Sequence, residues 1–229
     1  IYTGEDTLSL HDALPIYFDF FWILKSLPAI IIGLTIHELA HAYMAYKLGD
    51  MTAKNDGRLT FNPLKHIDPL GFMLILIAGF GWAKPVSFNP DNLKHKHRDE
   101  ILISLAGPVS NFLLAVLFLI TARVFFFFPY FSATALGLAT VNLLILWGVI
   151  NFGLFFFNLL PIPPLDGSHL YMTFLKDISP KLLRNLYMFG TYGLLLIILI
   201  QNNTKIEILP LASLIKGATN FGIALLQFR

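Results

Sequence analysis

The sequence predicts an all-α, polytopic transmembrane helix bundle of about four to six membrane segments, with a short β-hairpin/re-entrant region after the first span. Three observations predict it. Of 229 residues, 56% are hydrophobic and 13% charged, with a mean hydropathy of +0.68, whereas about a quarter of an ordinary soluble domain is charged. The 22 Phe residues stand where a water-facing surface would carry Lys and Glu. Long apolar runs alternate with short polar stretches throughout.

The composition also excludes chemistry. With no Cys, the chain can form no disulfide, thiolate nucleophile or Cys-ligated metal site, so any metal must be held by His, Asp and Glu. A net charge of +2, with Lys and Arg scattered between apolar runs, argues against nucleic acid as a partner. Residues 1–16 do not read like the rest. Thr7 to Ile16 resemble one reading frame of a sequencing adapter, so 1–16 is set aside as non-structural and 17–229 is read as a single domain. Without Glu5, Asp6 and Asp12 the net charge becomes +5, and the native N-terminus is expected to be missing.

The first span is expected over 28–48, because 21 residues at about 1.5 Å each cross a hydrocarbon core of about 30 Å. Pro28 suits its first turn. Residues 49–68 are polar, and the alternation Arg58-Leu59-Thr60-Phe61 suggests a hairpin whose edge could pair with an extended substrate. The run 69–82 is apolar but short and holds Gly71, Gly79 and Gly81, which suits a re-entrant or obliquely packed segment better than a full span. A long span follows over 101–128, loosened near its start by Gly107-Pro108. The next, 136–160, ends where Pro161-Ile162-Pro163-Pro164 cannot continue a helix. The run 186–200 is the last clear span. The tail, 208–228, carries Pro210, Lys216 and Gly217 and could span, lie flat or pack on the bundle.

Basic residues give an orientation. Lys47, Lys54, Arg58 and Lys65; Lys84, Lys94, Lys96 and Arg98; and Lys176, Lys181 and Arg184 fall in three polar regions, whereas 129–134 is uncharged. If 69–82 does not cross, the basic regions share one side, which the positive-inside rule makes cytoplasmic.

The chemistry concentrates in the first span, where His37-Glu38-Leu39-Ala40-His41 forms an H-E-x-x-H pattern. Two His four residues apart project from one helix face one turn apart, so both imidazoles can reach one tetrahedral Zn²⁺. Glu38 can take the proton of a water at such an ion. Each polar group at mid-membrane costs about 2.5–3.5 kcal/mol on insertion scales, so three within one span are poor candidates for idle residues. A protein ligand is still missing. No His follows at the short metzincin spacing, and residues 42–99 contain no Glu. Asp56 and Asp68 lie in turn-like stretches. Asp166 is better placed, where a span breaks after a proline-stiffened run.

Together, H-E-L-A-H at 37–41, A-G-P-V-S-N at 106–111 and N-L-L-P-I-P-P-L-D-G at 158–167 resemble the site-2 protease family of intramembrane zinc metalloproteases (peptidase M50), particularly small bacterial members. The resemblance covers roughly 20–200, and no counterpart of the family's PDZ or CBS modules is evident in this sequence. It implies a single intramembrane metalloprotease domain in which His37, His41 and Asp166 bind one Zn²⁺, Glu38 activates water and Asn158 helps position substrate. The implied partners are the lipid bilayer and a single-span membrane protein or membrane-anchored peptide, cut at a site opening toward the cytoplasm. The alternatives are a membrane metal-ion transporter and a catalytically silent membrane scaffold.

Other polar residues within the spans have simpler readings. Asn111, Asn142 and Asn151 are candidates for interhelical hydrogen bonds, with a role for Asn111 near the active site the lesser reading. His169 reads as an interfacial residue, with support of a metal ligand the lesser reading. His95 and His97 are expected to face water, Arg123 to snorkel to the interface, and the Phe125–Phe128 cluster and Trp147 to pack.

Overall fold

The structure is a computed structural model that describes residues 20–78, 81–204 and 208–225. Residues 1–16 and the Gly79-Phe80 part of the glycine-rich segment lie outside the described residues. Among the described residues, four helices are long and apolar enough to cross a membrane: α1 (Phe20–Lys47), α4 (Lys96–Phe126), α6 (Ala135–Asn158) and α8 (Pro180–Asn203). Between them lie the short α2 (Thr52–Asn55), α3 (Pro69–Ala78), α5 (Pro129–Ala133) and α7 (His169–Ile178), and α9 (Leu211–Leu225) follows α8.

The helix α4 is central, packing against α1, α6 and α7, while α6 also meets α1 and α9. Ala115, Leu119 and Phe152 form the buried contact between α4 and α6, with Ile215 and Ala218 of α9 against them. A second cluster, Ala45, Leu93 and Ile103, seats the segment before α4 onto α1. A third joins Leu165, Leu194 and Leu209 beyond the break after α6. Many large apolar side chains remain exposed, including Phe189, Tyr192, Leu196 and Leu199 on α8. On four helices of membrane-spanning length, such faces suit lipid contact.

Several boundaries differ from expectation. Pro28 lies inside α1, not at its first turn, because the apolar run of 20–27 is already helical. Pro108 likewise sits within an uninterrupted α4, where the Ser110 hydroxyl donates to the Gly107 carbonyl at 2.6 Å. The α8 helix begins earlier than 186, since Ser179 Oγ accepts the Leu182 amide and Pro180 occupies the first turn. The break after α6 falls where the prolines require it, at Asn158.

The hairpin expected at 58–61 is not formed, and the described residues contain no named strand. The polar atoms there are used otherwise. His66 Nε2 lies 2.8 Å from the Thr60 carbonyl, the Asn62 side chain caps the turn at Pro63–Lys65, and Arg58 is turned inward. What pairs is a single antiparallel bridge between Ile67 and Ala83, with the Lys84 amide bonded to the His66 carbonyl. A strand edge at 57–62 is therefore not offered to a substrate. A re-entrant loop over 69–82 is not supported either. Its described residues are the regular ten-residue helix α3, about 15 Å long and half of what a hydrocarbon core needs, and the non-helical Gly81 and Trp82.

Candidate metal centre

The helix α1 carries His37 and His41 one turn apart, about 15 Å and 9 Å from its basic end at Lys47. Both are buried. The chain returns to them through the break after α6, where Asp166 opens a short 3₁₀ turn, Asp166–Ser168, leading into α7. Ser168 closes that turn, its hydroxyl and amide both donating to the Leu165 carbonyl. Gly167 is required there, because a Cβ would collide with the Leu159 carbonyl.

The three side chains converge. His37 Nε2 lies 3.0 Å from His41 Nε2, and Asp166 Oδ2 lies 3.1 Å and 3.4 Å from those nitrogens. Tetrahedral zinc with bonds of about 2.0–2.1 Å would set its ligand atoms about 3.3 Å apart, so this triangle is of the right size.

The opposite ring atoms fix the tautomers. His37 Nδ1 is 2.6 Å from Asn111 Oδ1, and Asn111 presents that oxygen because its amide nitrogen donates to the Gly33 carbonyl and Asn151 Oδ1. His41 Nδ1 is 2.7 Å from the Ile103 carbonyl. With both Nδ1 atoms donating, both Nε2 lone pairs face Asp166. Asp166 Oδ2 is buried without a hydrogen-bond partner. Three converging lone pairs repel one another unless a cation lies between them, and the donor set fits a metal ion.

The helix α4 shapes this centre with residues spaced by four: Ile103, Gly107 and Asn111 lie on one face, against α1. Gly107 allows the close approach, since a Cβ there would collide with His41 Nε2 and stand 2.7 Å from His37 Cε1. Glu38, the neighbour of His37, is also buried. Arg58 Nη2 stands 3.7 Å from its Oε2 and donates to the Lys84 carbonyl.

A family resemblance is now testable, because geometry and motif agree. Residues 26–200 match the pattern described as Peptidase family M50. The chain belongs to that family. It is 46% identical over 153 residues to a Bacillus subtilis protein named "Putative zinc metalloprotease YwhC", an alignment covering 66% of this chain and 67% of that one. Rip2 of Mycolicibacterium smegmatis, under the same designation, is 32% identical over 179 residues, 74% of this chain and 63% of its own length. A third, MJ0611 of Methanocaldococcus jannaschii, is 34% identical over 145 residues, 62% of this chain and 66% of its own. The chain thus spans about two thirds of these relatives. No solved structure gives a significant match. Family membership and four apolar helices make this M50 chain a multi-pass membrane protein of a metalloprotease family.

The other sequence-predicted residues sort as follows. Asn158 closes α6, its amide nitrogen donating to the Leu154 carbonyl at 2.9 Å. Asp56 is exposed, and Asp68 Oδ1 accepts the Gly71 amide at the start of α3; neither joins the metal-competent group. His169 is half-buried at the start of α7, outside that group. His95 is exposed, but His97 does not simply face water: it pairs with Asp177 at 3.1 Å and stacks on Phe174, tying α4 to α7. Asn151 makes the interhelical bond expected of it, Asn142 is exposed, Arg123 lies over Phe127, and Trp147 Nε1 donates to the Lys25 carbonyl. Asn111 does both things considered for it, bridging helices and orienting His37.

Proposed function

We propose that this M50 chain is an intramembrane zinc metalloprotease that hydrolyses peptide bonds within or near the transmembrane segments of membrane proteins. The observation that carries the reading is the convergence of His37, His41 and Asp166 inside an apolar helix pair, beside the buried carboxylate of Glu38. These three residues would hold one zinc ion per chain. When bound, zinc polarises a scissile carbonyl and makes a water acidic near neutral pH. Glu38 would take a proton from water at the site on its carboxylate and pass it to the leaving amine nitrogen. Asn111 and the Ile103 carbonyl keep both Nε2 atoms forward throughout.

Asn158 stands at the last residue of α6, just ahead of the break that brings Asp166, and is assigned to holding the substrate backbone. The substrate is a single-span membrane protein or membrane-anchored peptide in the same bilayer. Its carbonyls are tied in i→i−4 bonds, so it must unwind before one reaches the site, and substrates with Gly, Asn or Pro near the cytoplasmic side are favoured. The three basic regions 47–65, 84–98 and 176–184 hold 11 of the 16 Lys and Arg, and the positive-inside rule supports a site that opens toward the cytoplasm.

The test is reconstitution of the purified protein in lipid with a panel of single-span substrates, comparing wild type with Glu38→Gln. The variant should keep zinc and lose cleavage. Equal cleavage by the two would remove Glu38 as the base.

A further inference from the structure

Arg58 is only 6% exposed, and arginine is rarely buried so fully unless paired. The backbone is built to place it. Gly57 adopts φ +67 after α2, a left-handed conformation that costs glycine little, and the Arg58 amide then closes onto the Ala53 carbonyl at 2.9 Å. Asp50 anchors the same unit, accepting from the Thr52 amide and hydroxyl, the Asn89 amide and the Asn92 side chain. From this platform the guanidinium reaches the Lys84 carbonyl and Glu38 Oε2 with a single nitrogen, Nη2. Its distance to Glu38, 3.7 Å, is close enough to fix a carboxylate by charge and too long to occupy its lone pairs with a hydrogen bond. The nearby His66 is not a rival cation, since burial pushes its imidazole below the usual range.

We propose that Arg58 is a positioning residue for Glu38, holding the carboxylate in one orientation and tying it to the Lys84 backbone. The inference rests on the proposed protease reading and extends it to a group outside the three motifs. The rigid guanidinium plane holds that nitrogen in one orientation, whereas a lysine ammonium, with a shorter overall reach and freely rotating protons, would hold both acceptors poorly. Misplacing a reacting group by about 1 Å costs about 100-fold in rate.

The test measures zinc content, kcat and KM for R58Q and R58K in lipid, beside wild type and E38Q. R58Q should keep one zinc per chain and KM within about twofold, with kcat down about 100-fold, and R58K should fall between. In an E38Q background, R58Q should add no further loss. A wild-type kcat in R58Q overturns the proposal, as does zinc loss in both R58Q and R58K, which would make Arg58 a purely structural support. If R58Q alone loses zinc, R58K decides: a lowered kcat at unchanged KM upholds the proposal, and a wild-type kcat overturns it. Zinc-loaded wild type that cuts no substrate would instead count against the protease reading itself.

Discussion

His37 Nδ1 and Asn111 Oδ1 stand 2.6 Å apart, linking the first motif to the second across the α1–α4 contact. The link has a direction, because the Asn111 amide nitrogen is already committed to the Gly33 carbonyl and Asn151. Asn111→Ala should therefore weaken zinc binding about 10–100-fold, the usual cost of losing such a partner. Competition with a chelator of known affinity measures it, and unchanged affinity would show that His37 is oriented by something else.

Gly107 is a steric requirement of the site. Gly107→Ala should expel zinc or displace the His pair, because the added methyl would overlap the His41 ring. Gly193→Ala is the control, since a Cβ at 193 meets nothing within 4 Å and zinc content should not change. If G107A carries a full complement of zinc, α4 does not sit as close to α1 as described.

How much of this was legible in the sequence depends on the kind of interaction. The four spans and the break at Pro161–Pro164 follow from apolar run length and the missing proline donor, both local properties. The His37–His41 pair is equally local, being a helix repeat of one turn. Asp166 required the third motif, because 125 positions separate it from His41 and no periodicity spans such a gap. The face formed by Ile103, Gly107 and Asn111 had a local signal, a spacing of four, but its meaning depended on what it faced. Arg58 was misread because alternation at 58–61 describes a strand only if the backbone pairs. Here, the Asn62-Pro63 turn and side-chain bonds consumed the backbone first.

Asp50 makes the platform beneath Arg58 sensitive to acid. Burial opposes its ionisation, but donors from Thr52, Asn92 and Asn89 hold its carboxyl below the usual range. With the folded pKa depressed below an unfolded value of about 3.9, the carboxylate's contribution is complete above about pH 4–5. It is lost as pH falls further, through the folded-state value. The protection factors of the Thr52 and Asn89 amides, taken against the intrinsic exchange rate at each pH, should fall on acidification in wild type. Asp50→Asn should show lower protection factors already at neutral pH and a flatter acid dependence of them. Identical profiles for the two proteins would contradict this role.

The substrate-positioning role proposed for Asn158 is separable from metal binding. Asn158→Ala should leave zinc content unchanged and lower kcat/KM about tenfold, the worth of one hydrogen bond of about 1.4 kcal/mol. Steady-state cleavage of a lipid-embedded substrate checks it, and loss of zinc in this variant would move Asn158 into the support of the metal centre.

The central claim is that three side chains from two distant segments grip one ion within the bilayer. Zinc quantitation with X-ray absorption, on wild type and Asp166→Ala in lipid, tests it most directly. The account predicts one zinc per wild-type chain with two imidazole nitrogens and a carboxylate oxygen at about 2.0–2.2 Å, and at most a small residual occupancy after Asp166→Ala. Full occupancy with an unaltered coordination shell in that variant would contradict it.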